Sequence, residues 1–259
     1  MDDKLMTNEV RAIEKPLADF DSTLLNEYFR RITNIDMDDL DSRYENKVLA
    51  TRRYVMSAVK ARIIVSLSGI QDRSATQLHL ENGRTIDGEM AVRVMKHAEQ
   101  MIVLAVSLVG LNEEDIQDFQ KISERYFLDS WGSAAIQVVQ IWAYNELNGQ
   151  LDEGMRLTNM WEPGQTQFPI SNQRVVFDML KLQEHGCVLH SSMMLEPIKT
   201  KTCILGIVDK ETQDLPIPCS FCQFGKSCPL SRVREFPKTP RRARVSRTSK
   251  TFLHGADAL

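Results

Sequence analysis

Apolar positions set the first elements of this chain. In DSTLLNEYFRRI (21–32), Leu24, Leu25, Tyr28, Phe29 and Ile32 recur at helical spacing, and Asp21 or Ser22 is placed to cap the helix. The acidic stretch TNIDMDDLDSRY reads as a loop. A long helix is predicted over 46–68, with Val48, Leu49, Tyr54, Val55, Ala58, Val59, Ile63 and Leu67 on its apolar side and Gly69 as its stop. Beyond it the period changes. Leu78 and Leu80 alternate with polar residues, and Asn82-Gly83 is a turn signal, so 76–81 and 84–87 form a hairpin. Residues 89–99 return to helical periodicity. The nearly unbroken apolar run 101–109 predicts a strand buried on both faces.

Two helices are expected next, at 112–125 and 129–148. The first starts at Asn112–Asp115, and Asp129 is an N-cap candidate for the second. In the second, Ala134, Ala135, Val138, Val139, Ile141, Trp142 and Ala143 leave little polar surface, so it packs centrally, with Gly132 to Ala135 admitting close neighbours. A loop-rich stretch, 150–169, leads to a helix over 172–185 with Ser171 as cap. CVLHSSMML and KTKTCILGIV then read as two strands separated by Glu196-Pro197. This order lacks the regular alternation of a doubly wound sheet. It predicts an α+β fold, a largely antiparallel sheet with helices packed on it. Residues 1–75 form an N-terminal helical region, 76–230 the α+β domain, and 231–259 a basic, disordered tail.

Charge sharpens that division. Residues 231–259 carry eight Lys or Arg against two acids, a net +6, which leaves −9 for the other residues. An acidic body with a basic tail is not a dedicated nucleic-acid-binding domain, but the tail suits an acidic partner or RNA. The first residues, MDDKLMTNEV, lack the basic and apolar regions of a signal peptide, and no apolar run reaches the ~18 residues that cross a bilayer. A cytoplasmic location is expected. His79, His97, His185, His190 and His254 form no zinc-protease pattern, and no Walker A or G-x-S-x-G motif is present, so the enzyme classes with strong signatures are unsupported.

The strongest chemical signal is PCSFCQFGKSCP, in which Cys219, Cys222 and Cys228 are spaced C-x2-C-x5-C. Thiolates at this spacing can share one metal, and Gly225 lets the backbone fold back around them. Cys203 and Cys187 are candidates for a fourth ligand, as are His185, His190 and an exogenous group. An iron–sulfur cluster, which tolerates a non-protein ligand on one iron, is favoured over zinc. A second candidate is the loop WEPGQTQFPIS, where Pro163-Gly164 makes a turn among amide and hydroxyl groups.

Several segments together resemble the activation domain of cobalamin-dependent methionine synthase, and more closely its short stand-alone relatives in anaerobes. They are AVSLVG (105–110), RYFLDSWGSAAIQ (125–137), PGQTQFPISNQRVVFDML (163–180) and SSMMLEPIKTKTCILGIV (191–208). CSFCQFGKSCPLSR is similar to the cysteine-rich end of many stand-alone members. The resemblance implies a twisted antiparallel sheet with flanking helices and a groove for S-adenosylmethionine. It also implies docking on a corrinoid-binding protein or methyltransferase that carries the cobalamin, and an accessory or reactivation role there. Glu146, Pro163, Gly164 and Gln165 would line the groove. The family's loop has an arginine three residues before the Pro-Gly and a tyrosine after it. Here those positions are Met160 and Gln165, and the nearest basic residue is Arg156. The alternatives are an S-adenosylmethionine-dependent activase, which needs this altered loop to bind, and a non-catalytic module stabilised by zinc.

Overall fold

The computed structural model describes residues 5–112, 114, 116 and 118–231. The basic tail, from 232 on, and Asp115 of the expected 112–125 helix lie outside them. In chain order the elements are β1 (Arg11–Pro16), α1 (Ser22–Thr33), α2 (Glu45–Ala58), β2 (Lys60–Arg73), β3 (Gln77–Leu80), β4 (Thr85–Asp87), α3 (Glu89–Val94) and β5 (Gln100–Val109). They continue with α4 (Ile122–Gly149), β6 (Met155–Leu157), α5 (Asn172–Met179), β7 (Val188–Leu189), β8 (Leu195–Glu196), β9 (Thr200–Asp209) and the short α6 (Pro218–Phe221).

The main sheet runs β4-β3-β2-β5-β9-β6, with β1 also paired to β2. Every pairing in it is antiparallel. Strand β2 serves two neighbours on one edge: its first half holds β1, and its end holds β3 with a bulge between Ile70 and Asp72. The sheet is therefore continuous across residue 75. Apolar side chains alternate between two cores. On one face Ile63, Val65, Leu104, Val106, Cys203 and Leu205 pack with Phe29, Val55, Trp131, Ala135 and Val139 from α1, α2 and α4. On the other, Ile64, Val103, Ala105 and Ile204 pack with Met90, Val94, Val176 and Leu180 from α3, α5 and the residue after α5. The fold is α+β, as expected, with helices on both faces of the sheet.

The double burial explains which strands showed in the pattern. β5 is covered on both faces and reads as a continuous apolar run. The expected helix 46–68 is a correction: α2 stops at Ala58, Val59 turns extended, and β2 begins at Lys60. Ile63-Ile64-Val65 fills both cores, which β-branched residues in a central strand do well. The hairpin β3–β4 closes at Asn82-Gly83 as read, and Asp21 caps α1, accepting from the amides of Thr23 and Leu24 at 2.8 and 3.0 Å. The two helices expected at 112–125 and 129–148 give way to turns and then one helix, α4, starting at Ile122. Asp129 is thus inside α4, where it pairs with Lys199 at 2.7 Å rather than capping. The expected helix 172–185 is shorter, with α5 followed by a 3-10 turn at Leu182–His185. CVLHSSMML holds only the two-residue strands β7 and β8.

Candidate functional site

The chain after β6 runs back along β9. Thr158 donates its amide to Gly206, and Trp161 exchanges two backbone hydrogen bonds with Ile204 at 3.1 and 2.9 Å. This pairing delivers Glu162 to the start of β9. Lys201, two residues before Cys203, shares its strand face and points at α4. There it meets Gln140, only 2% exposed on a mostly apolar stretch of helix. The three side chains close a triangle. Lys201 Nζ lies 2.6 Å from Glu162 Oε1 and donates to Gln140 Oε1 at 3.0 Å, while Gln140 Nε2 donates to Glu162 Oε1 at 3.0 Å. The Lys201 and Glu162 side chains are each 24% exposed, so the pair is half-sheltered yet reachable from solvent.

The Pro163-Gly164 turn follows directly. Gly164 takes φ +91°, a left-handed conformation that favours glycine, and donates to the Phe168 carbonyl at 2.8 Å. Gln165 folds inward and accepts the Glu162 amide on Oε1 at 3.0 Å, which holds the carboxylate's backbone in place. Met160 is buried against the core.

The cysteine-bearing segment closes the other side. Thr166 Oγ1 donates to the Phe221 carbonyl at 2.9 Å, and the Phe221 ring meets Trp161 edge-on at 6.1 Å. Beyond that anchor the chain turns tightly: Gly225 donates to Cys222 at 2.9 Å and Cys228 to Phe224 at 2.7 Å. Gly225 is required here, because a Cβ would stand 2.2 Å from the Cys219 carbonyl oxygen. The Leu230 amide donates to Cys228 Sγ at 3.4 Å.

Together these segments enclose a cavity of about 680 Å³. Gln140, Glu162 and Lys201 form its polar floor, and Gly164, Gln165, Cys219, Cys222 and Cys228 border it. Gly164, Gln165 and the three motif cysteines were expected site residues, and the fold brings them to one place. It does not bring the others. Glu146 is exposed near the end of α4, bonded to Gln150 at 3.3 Å, and Arg156 donates to the Thr212 carbonyl; neither lines the cavity. Pro163 shapes the turn without bordering the cavity. Cys203 is buried under α4, and Cys187 is buried on the opposite face, where burial raises its thiol pKa. His190 pairs with Glu196 on the β7–β8 hairpin at 3.2 Å. No disulfide joins any of the five cysteines. Among the described residues no three His, Cys, Asp or Glu side chains meet at one chelating point.

Gln140, Glu162 and Lys201 were missed by sequence reasoning. The available signals were two amides one turn apart, Gln137 and Gln140, in a mostly apolar helix and an acid directly before Pro-Gly. A second cavity, about 540 Å³, opens further along the seam between α4 and β9, bordered by Leu128, Asp129, Met194, Ile198 and Lys199. Among the described residues, no helix is long and apolar enough to cross a membrane.

No family model and no curated protein matches this chain. Among solved structures it is similar to the MetH reactivation domain bound to AdoHcy, with a TM-score of 0.58 and 11% identity over 80% of this chain and 81% of that one. At that identity the similarity shows a shared fold.

Proposed function

We propose that this protein is an accessory factor that docks on a corrinoid-dependent methyltransferase and supports reactivation of its cobalamin, using the groove for an S-adenosyl ligand. The observation that carries the reading is the Gln140–Glu162–Lys201 floor, set in a fold shared with a reactivation domain that binds AdoHcy. The amino-acid end of such a ligand is a zwitterion. Glu162 offers a carboxylate to its ammonium and Lys201 an ammonium to its carboxylate, and Gln140 keeps both in register. Lys201 thereby supplies the positive charge that the loop lacks at Met160. The cavity's size falls within the ~300–1,000 Å³ usual for small-ligand sites. When bound, S-adenosylmethionine supplies an electrophilic methyl group. The residues of this chain bind and orient the ligand, leaving the open side for the corrinoid partner. The adjoining apolar surface, where Met194 and Ile198 are 58% and 75% exposed, suits that contact.

The test is calorimetric titration of the full chain with AdoHcy and S-adenosylmethionine, alongside co-elution with a cobalamin-loaded methyltransferase. Binding in the micromolar range is expected, about −8 kcal/mol. Glu162→Gln and Lys201→Met should each weaken it about tenfold, since each strands one charge of the ligand. Absence of both ligand binding and co-elution overturns the reading.

A further inference from the structure

We propose that Cys219, Cys222 and Cys228 form a three-thiolate site for a thiophilic metal centre, built into the wall of the groove. Their spacing permits this, and the fold adds three independent observations. First, all three thiols border the same cavity, although the segment that carries them spans ten residues. Second, the backbone between Cys219 and Cys228 folds back on itself. Two successive tight turns do this, and Gly225 lies so close to the Cys219 carbonyl that no side chain fits between them. Third, the Leu230 amide already points at Cys228 Sγ. Amide hydrogen bonds to sulfur stabilise thiolate charge and tune metal centres.

The donor set is soft. Among the described residues the one carboxylate on this cavity, Glu162, is paired with Lys201, and no imidazole borders it. Three thiolates without oxygen or nitrogen donors select zinc or an iron–sulfur cluster over calcium, magnesium or manganese. Among the described residues Cys203, Cys187, His185 and His190 lie away from this cavity, which leaves the fourth position there to a non-protein ligand. The sulfurs border the cavity without meeting at one point, so loading the site requires the Cys222–Cys228 turn to move inward. Phe221, tied to Thr166 and Trp161, is the fixed end of that movement.

The inference does not depend on the corrinoid reading, and its test needs neither cobalamin nor S-adenosyl ligand. The full chain is purified without oxygen, reconstituted separately with zinc and with iron plus sulfide, and desalted. Metal, sulfide and visible absorption are then measured. About one zinc per chain without visible absorption identifies an ion. About four iron and four sulfide with visible absorption identifies a cluster. Either result supports the site. Cys222→Ser and Cys228→Ser should each lose most of the bound metal, while Cys203→Ser keeps it. Thermal melts and circular dichroism establish that the serine variants are folded. Failure to retain stoichiometric metal under both reconstitutions, or full retention by the folded Cys222→Ser and Cys228→Ser variants, overturns the proposal.

Discussion

Gln140 shows what a single side chain decides here. Its amide is buried, and such a group is kept only when both its ends are bonded. Lys201 and Glu162 satisfy it, and the same bonds fix the charges on the cavity floor. Glu146 attracted the sequence reading because it is an acid on the right helix. Six residues turn an α-helix by about 240°, however, so Glu146 faces away from the side that Gln140 presents to β9. Asn172 plays a comparable role outside the site. It is 1% exposed, accepts the Asp87 amide at 2.8 Å, and donates to the Asp87 and Pro169 carbonyls at 2.8 and 3.0 Å. Asn172→Ala should cost about 1–3 kcal/mol, because backbone groups are left buried without partners. Chemical denaturation measures it, and an unchanged midpoint would contradict the clamp. The thiols sort by burial in the same way. Cys222 is exposed, whereas Cys187 and Cys203 are buried, and burial also raises the Cys187 pKa. In chelator-treated protein a disulfide reagent should therefore modify Cys222 first, and reach Cys187 and Cys203 only on unfolding. Mass spectrometry of timed samples checks that order.

At the level of elements, the pattern was legible where one face of a segment met solvent and misleading where both were covered. The α1 stripe and the β3–β4 alternation each had a polar side to mark the period. β2 has none over Ile63-Ile64-Val65, so its run continued the apolar side of α2 and read as more helix. β1 failed to show for the opposite reason. RAIEKP lies at an edge with only partial burial, and its charged residues look like a loop until β2 pairs with them. α1 is held to α4 largely by Phe29, fully buried and stacked on Trp131 with ring centroids 3.7 Å apart and planes 10° from parallel. Phe29→Ala should cost about 3–5 kcal/mol, the range for a fully buried aromatic. In a chain of this size that lowers the melting temperature by roughly 10 °C. Calorimetry tests it, and a loss below about 1 kcal/mol would mean that α1 is not part of the cooperative core.

Across the whole molecule, the groove is assembled from α4, the Pro163-Gly164 turn, β9 and the cysteine segment, and none of these is complete alone. Each carried a visible local signal, but only the antiparallel run of residues 158–161 along β9 puts Glu162 beside Lys201. That tertiary pairing has no local trace in the sequence. The same assembly joins the two proposed sites. The thiols and the polar floor border one cavity, and the Thr166–Phe221 bond joins the Pro163-Gly164 turn directly to the cysteine segment. If the thiols hold a metal and the floor an S-adenosyl ligand, the metal restricts that wall and less ordering remains when the ligand enters. Metal-loaded protein should thus bind AdoHcy about tenfold more tightly than the same preparation after chelation, within the usual range of coupling between sites. By linkage, saturating AdoHcy should retain the metal against chelator by the same factor. Titrations run in both directions measure this coupling. Equal affinities before and after chelation would show that the cysteine wall is energetically separate from the floor. Thr166→Val, which removes the bond between the walls, should reduce the coupling while leaving metal content intact.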